Sequence, residues 1–372
     1  MAKQVILAVA GAGKTYHICH SIDPKKKNLI LAFTHENINN IQKELCHAFG
    51  KVPQCTTIST FDAFVYRELI LPYEPSIGEH FSFPKFRSNG ICMIDPPRKT
   101  FTINGKCLAN PKYKPKNQFA HYITPEKQYY CANLSELILH IKKNGSSLIK
   151  RLVERIRFFY DNVLIDEFQD FREFDYDLII KLSQRLENVT LVGDFFQHSV
   201  SGTNNSGKPF KKKSTEVSYN DFVDELRSLG FDIDTKTLTK SRRCSNEVCR
   251  YVSDKLGIEI SSSGINQGSV FWIDKNADDI LRNKDIVKLV YNDAAKYRFR
   301  AMNWSYSKGA TLGAVCVILT KDFENLAKDS FTTTGIPAST INKLYVAMTR
   351  SCGNLFLMKH STFQRLRNYY KK

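Results

Sequence analysis

A chain of 372 residues, 42% of them hydrophobic, is long enough for two domains with buried cores. No apolar run approaches the ~18–20 residues that span a bilayer and nothing reads as a signal peptide, so membrane and secreted classes give way to a soluble intracellular chain with no membrane partner. Lys and Arg (54) outnumber Asp and Glu (37), and the net charge of +17 points to a polyanionic partner, nucleic acid before anionic lipid, since no basic amphipathic helix or lipidation signal supports the latter.

In chain order, QVILAV (4–9) and NLILAF (28–33) read as buried strands. Helical segments start at Lys14 and at about Glu36. This is a βαβ pattern and predicts a parallel sheet. Eight of the twelve prolines then fall between Pro72 and Pro125, among aromatics and lysines, which predicts a loop-rich insertion. Helical periodicity returns at LSELILHIKK (134–143) and SLIKRLVERIRFFY (147–160). Strands resume at NVLIDE (162–167) and NVTLVGD (188–194). The polar, basic stretch SGTNNSGKPFKKKS (201–214) reads as disordered or as a strand-contacting loop, followed by a helix at YNDFVDELRSLG (219–230). A second α/β unit is expected from about Asp234, with strands at TKTLT (235–239), GSVFWI (268–273), GAVCVILT (313–320) and NLFLM (354–358). The ten cysteines show no CxxC pair and no Cys/His ligand spacing, so they are expected to be reduced thiols, mostly in cores.

Three stretches carry chemistry. AVAGAGKT (8–15) joins a strand to a helix. In such a turn the backbone N–H groups of Ala10, Gly11, Ala12 and Gly13 can face phosphate oxygens, helped by the helix N-terminus. Lys14 can reach the β- and γ-phosphates, and Thr15 can ligate Mg²⁺. The strict pattern has Gly where Ala8 stands, and a flexible turn is the bland alternative. VLIDEFQD (163–170) places Asp166 at a strand end, where it can hold Mg²⁺ through water, and Glu167 where it can take a proton from an attacking water. In LVGDFFQ (191–197), Gly193 permits a tight turn and Gln197 suits sensing of a γ-phosphate.

GAGKT, DEFQD and GDFFQ, followed by LTKSRR (238–243), SYSKGATL (305–312) and LYVAMTRS (344–351), resemble in order the motifs of the UvrD/Rep type of superfamily 1 helicases. The resemblance runs from Ala8 to Ser351. It implies an α/β fold of two RecA-like P-loop NTPase domains with parallel sheets, ATP and Mg²⁺ in the cleft between them, and a small accessory insertion in the first. The implied first domain is 1–71 with 156–233, the insertion 72–155 and the second domain 234–372, its own accessory insertion reduced to about 257–300 or absent. Arg350 is the implied arginine finger and Arg243 the second cationic contact. Lys308 and Gly309 match the segment that links nucleotide to strand, with Thr311 where the family usually has Glu. Phe33, Thr34, Ser59 and Phe61 fall in the segments that touch single-stranded DNA.

The sequence also departs from that pattern. The adenine-reading Gln segment, expected upstream of the phosphate loop, has no counterpart after Met1. Ser241-Arg242-Arg243 replaces a motif whose Tyr stacks on the base, and Arg242 can stack there instead, which leaves ATP against GTP open. His198, Ser199 and Val200 stand where an aromatic is expected, so a stacking platform is lost or moved to Phe195 or Phe196. The implied function is an ATP-dependent translocase or helicase on single-stranded DNA or a strand–duplex junction, 3′→5′, with a protein partner supplying duplex engagement. The alternatives are an RNA-directed helicase and a nucleotide-binding switch or loading subunit for a partner protein. No acidic metal cluster beyond Asp166/Glu167 suggests a nuclease.

Overall fold

A computed structural model describes residues 3–103, 105–143, 146–200, 207–213 and 215–372. Six strands form the first sheet: β1 (Lys3–Leu7), β2 (Asn28–Ala32), β3 (Thr56–Thr60), β4 (Asn162–Ile165), β5 (Val189–Gly193) and β6 (Asp232–Asp234). Their order is β6-β1-β5-β4-β2-β3, with every pair parallel. β2 is buried along its whole length, as its unbroken apolar run requires of a strand covered on both faces. The register sets Leu7 beside Gly193 and Leu191 beside Ile165. The loops after β1, β4 and β5 therefore leave the same edge of the sheet, and these loops hold GAGKT, DEFQD and GDFFQ.

Helix α1 (Lys14–Ser21) follows β1, and α2 (His35–Phe49) follows β2. Thr34 caps α2 by accepting the Asn37 N–H at 3.2 Å, and Gly50 closes it in the left-handed conformation. Ile18, Ile41 and Leu45 lock the two helices together over β1 and β2. The Pro-rich region is irregular but not detached. Phe81, Phe119, Tyr122, Tyr129, Leu137 and Ile138 are continuous with the core of the first sheet through Phe64 and Leu69. Within the Pro-rich region, the antiparallel hairpin Thr100–Ile103/Lys106–Ala109 is exposed along both described strands. Helix α3 (Ile149–Phe159) buries Leu152, Val153 and Ile156, the apolar stripe read from its sequence, and the longer helices after it are α4 (Glu173–Ser183), α5 (Tyr219–Ser228) and α6 (Asn246–Leu256).

The second sheet contains β7 (Val270–Ile273), β8 (Ile286–Val290), β9 (Ala301–Asn303), β10 (Ala314–Ile318) and β11 (Leu355–Met358). It is also parallel, in the order β7-β11-β10-β8-β9. Two expectations need correction here. TKTLT is a turn and not a strand: the Asp234 carboxylate accepts the N–H of Lys236 and of Thr237 and the Thr237 hydroxyl, which coils the chain directly after β6. The span 257–300 is not an accessory insertion, since it carries β7 and the fully buried β8, an interior strand of the second sheet.

Of the stretch 201–214, residues 201–206 and 214 lie outside the described residues; Lys211–Lys212 pairs antiparallel with Thr215–Glu216. All ten cysteines are free thiols, but Cys46, Cys55 and Cys107 are exposed and not in cores. Among the described residues no helix is long and apolar enough to cross a membrane.

Candidate nucleotide site

β1 delivers the chain into a loop whose shape depends on two glycines. Gly11 (φ 73°) and Gly13 (φ 86°) are left-handed, and a Cβ on Gly11 would lie 2.7 Å from Arg243 Cβ and 2.8 Å from Ser241 Oγ. The loop is thus walled by the segment that opens the second unit, and Arg242 donates its N–H to the Gly11 carbonyl at 2.9 Å. Ala8 is 6% exposed and packs with Ile6, Ala12 and Ile18, so the methyl that departs from the strict pattern sits in the core and not in the loop mouth. Gly13 caps α1, which presents Lys14 and Thr15 in its first turn.

The acid pair meets this loop. Thr15 Oγ1 donates to Asp166 Oδ2 at 2.9 Å, and Lys14 Nζ stands 3.5 Å from Glu167 Oε1. Glu167 is itself left-handed (φ 54°), which turns its carboxylate back toward the loop, and Gln169 holds it by donating from its side-chain amide. Lys308, from the second unit, stands 3.6 Å from Glu167 and donates to Asp170 at 2.6 Å. Burial raises the Asp166 carboxyl, and the Glu167 charge adds to that effect. Burial opposes ionisation of Glu167 too, but Lys14 and Lys308 overcome it and hold that carboxyl below its usual range. One carboxylate is therefore kept charged beside another that is not readily ionised.

These groups face a cavity of about 450 Å³. Gly11, Gly13, Lys14, Thr15, Asp166 and Glu167 line one side; Arg242, Arg243 and Gly309 come to it from the second unit. Ala10 and Ala12 lie behind the loop, 0% and 5% exposed. Tyr16, Asn37, Asn40, Asn266, Thr311 and Cys352 also line the cavity. None of these is a site residue by the sequence; Thr311 stands out there only as a departure from the family's Glu. Tyr16, next to GKT, was the one detectable from position alone. The Arg242 guanidinium lies over its ring at 4.9 Å.

Other expected site residues stand back from the cavity. Lys308 is occupied by Asp170 and Glu167. The Gln197 amide donates to Asp194 Oδ2 at 2.8 Å. Arg350 is 1% exposed and turns onto its own helix, α7 (Ala338–Met348), donating from Nε to the Val346 carbonyl at 2.8 Å. Burial and the neighbouring Arg243 lower its pKa to about 9. Neither Arg243 nor Arg350 forms an ion pair with a described residue; the two guanidiniums repel one another, while the Glu167 charge acts on Arg243 and the Asp194 charge on Arg350 without direct pairing.

Asp194, read in the sequence only as part of a turn, is a junction. Its backbone N–H donates to Gln169 Oε1 at 2.8 Å, and its carboxylate accepts from Gln197, from the Phe196 N–H and from the Tyr345 hydroxyl at 3.2 Å. The Tyr345 hydroxyl in turn accepts the Ala10 N–H at 2.8 Å. A hydrogen-bonded chain thus runs from Glu167 through Gln169 and Asp194 to α7 and back to the loop. Burial raises the Asp194 carboxyl to about 6, despite Lys14, Gln197 and Tyr345.

In the unfolded chain Asp194 ionises near pH 4. Between that value and about 6 the folded state holds the extra proton, so stability falls as pH rises through this window, by about 3 kcal/mol for this group alone. Denaturant unfolding from pH 4 to 7 should show a shallower decline for Asp194→Asn than for the unaltered chain. Parallel profiles would show that Asp194 does not titrate there.

The residues expected at the strand contact divide. Phe33 is half-buried with its edge on Phe171 at 5.6 Å, and Thr34 is exposed but engaged as the α2 cap. Ser59 donates to the Thr60 carbonyl at 3.0 Å. Phe61 is 2% exposed and packs edge-on against Phe171 at 5.0 Å. It has no open face for a base, because the helix it begins sends its apolar side chains into the core. Phe195 is likewise buried and Phe196 stacks on Tyr219; both rings line a second cavity of about 670 Å³. Among the described residues that line that cavity the one charged side chain is Glu259, which is acidic and does not suit a phosphate.

Residues 97–198, which include DEFQD and GDFFQ, match the family model of the UvrD/REP helicase N-terminal domain. No curated protein matches the sequence. Among solved structures, arterivirus nonstructural protein 10 (helicase) in complex with DNA is similar at 12% identity and a TM-score of 0.45, over 96% of this chain and 61% of that one. The PRRSV helicase is similar at 14% identity and a TM-score of 0.45, over 99% of this chain and 54% of that one. The chain spans under two thirds of either protein.

Proposed function

We propose that this chain, which is UvrD-like and of the superfamily 1 helicase type, hydrolyses ATP between its two α/β units and uses the cycle to move along single-stranded DNA or to open a duplex, 3′→5′ by resemblance. The observation that carries the reading is the meeting, across one cavity, of a phosphate-type loop and an acid pair on the first unit with Arg243 on the second, the buried Arg350 lying near Arg243. Phosphoryl transfer needs such cations near the γ-phosphate.

On this reading the loop N–H groups and Lys14 bind the phosphates. Thr15 and Asp166 are hard oxygen donors 2.9 Å apart and suit Mg²⁺, which would neutralise phosphate charge when bound. Glu167, held ionised by Lys14 and Lys308 and aimed by Gln169, accepts the proton of the attacking water. Arg243 completes the charge around the γ-phosphate, and Arg350 supports it after leaving its own helix. Tyr16 and Arg242 take the base, which parts their stacked contact. Asp194 and Tyr345 link the state of the acid pair to α7, so that turnover alters how the units sit on one another. The net charge of +17 supplies the sequence-independent attraction to a strand.

Steady-state ATP hydrolysis alone, with single-stranded DNA and with single-stranded RNA of the same sequence tests this. Strong stimulation by DNA alone is the expected result. Stimulation by RNA instead reassigns the track. Bound ATP with no stimulation by either would replace the motor with a switch subunit that acts on a protein partner. That outcome would fit a second unit whose span 257–300 is taken up by its own sheet.

A further inference from the structure

On the outer face of the α1/α2 pair, three side chains converge. His20 Nε2 lies 2.9 Å from Glu44 Oε1, and His47 Nδ1 lies 3.8 Å from the same oxygen. One ligand atom from each lies within 4.8 Å of the others. Glu44 and His47 are three apart on α2 and therefore share a face, while His20 reaches them from the last turn of α1. The frame beneath is firm: Ile18, Ile41 and Leu45 are buried between the helices, and the Cys19 thiol donates to the Ile41 carbonyl. The His20 ring is also held, stacked on Tyr16 with centroids 3.8 Å apart and an interplanar angle of 22°.

We propose that His20, Glu44 and His47 form a binding site for a divalent transition metal of the zinc type. Two imidazoles and a carboxylate are a ligand set that zinc takes in four-coordinate sites, with the fourth position left to water. Metal–ligand bonds of about 2.0–2.2 Å place ligand atoms about 3.3–3.5 Å apart, so closure asks His47 to move in by a fraction of an ångström and the His20–Glu44 pair to relax by as much. His47 is 80% exposed and free to make that adjustment. The metal would tie the end of α1 to α2. Tyr16, stacked on the ligand His20, also lines the nucleotide cavity, which brings the metal within one side chain of that cavity.

The experiment is a Co²⁺ titration of the full chain without nucleotide, followed by visible absorption, with Zn²⁺ as competitor. One equivalent should bind with nitrogen/oxygen-type d–d bands, no thiolate charge-transfer band, and displacement by Zn²⁺. His20→Ala and His47→Ala should each weaken binding by at least about 10-fold, and Cys46→Ser should leave it unchanged. All three positions have solvent access, and unchanged near-UV circular dichroism of each variant verifies the fold. Absence of binding, a thiolate band, or a His20→Ala or His47→Ala variant that binds as tightly as the unaltered chain would overturn the site. None of these readouts depends on ATP turnover.

Discussion

Glu167→Gln is expected to keep nucleotide and strand binding while slowing steady-state hydrolysis by ~10²-fold or more, the usual contribution of a positioned general base. The substitution keeps the shape of the side chain and can still meet Gln169, but it cannot accept a proton. It also releases Lys14 and Lys308 from the charge they now share at 3.5 and 3.6 Å. Lys14 becomes free for phosphate, while Lys308 stays on Asp170, so nucleotide affinity should hold or rise while turnover falls. Measuring binding and turnover on the same preparation separates the two effects. Near-normal turnover would remove Glu167 as the base.

Lys14→Ala is expected to abolish measurable hydrolysis, a loss of at least ~10²–10³-fold, as for removal of one pre-positioned charge donor in phosphoryl transfer. Two causes act together. The phosphate loses its cation in the loop, and Glu167 loses the foremost of the charges that keep it ionised. The second cause predicts a signature beyond simple loss. Any residual activity should decline at low pH sooner than in the unaltered chain, because the folded-state pKa of Glu167 rises toward the ordinary carboxylate range. A variant that hydrolyses at the normal rate would mean that the loop is not the phosphate cradle.

Much of this architecture is legible in the sequence where chemistry and periodicity coincide. NLILAF and NVLIDE are unbroken apolar runs ending in polar motifs, and each became a parallel strand with its motif at the loaded edge. The cavity residues Gly11, Gly13, Lys14 and Thr15, with Asp166, Glu167, Arg242, Arg243 and Gly309, lie where those motifs meet. What escaped has physical reasons. β8 was hidden because Lys288 interrupts its apolar run; in the fold its ammonium donates to the Asn283 carbonyl and the strand is buried nonetheless. TKTLT has strand-forming residues, but the Asp234 side chain captures the backbone first. Asn37 and Asn40 project into the cavity from a helix that sequence spacing assigns to the scaffold. Phe61 shows the reverse error: a motif position reads as a contact, and local packing claims the ring.

Ala10 belongs to the phosphate loop by sequence, yet its contacts are with the second unit. It packs in the cluster built by Val248, Tyr345 and Leu355, and its N–H is satisfied by a hydroxyl from α7. Ownership of the loop is therefore divided. On the proposed reading, a fragment ending near residue 233 would keep the phosphate-type loop and the acid pair but leave Ala10 bare and Asp194 without Tyr345. Severing the chain there would not yield an autonomous nucleotide binder and a spare lobe. It would yield two halves that recover a finished cradle only by reassociating, which makes this chain a natural template for a split reporter whose signal is the completed loop.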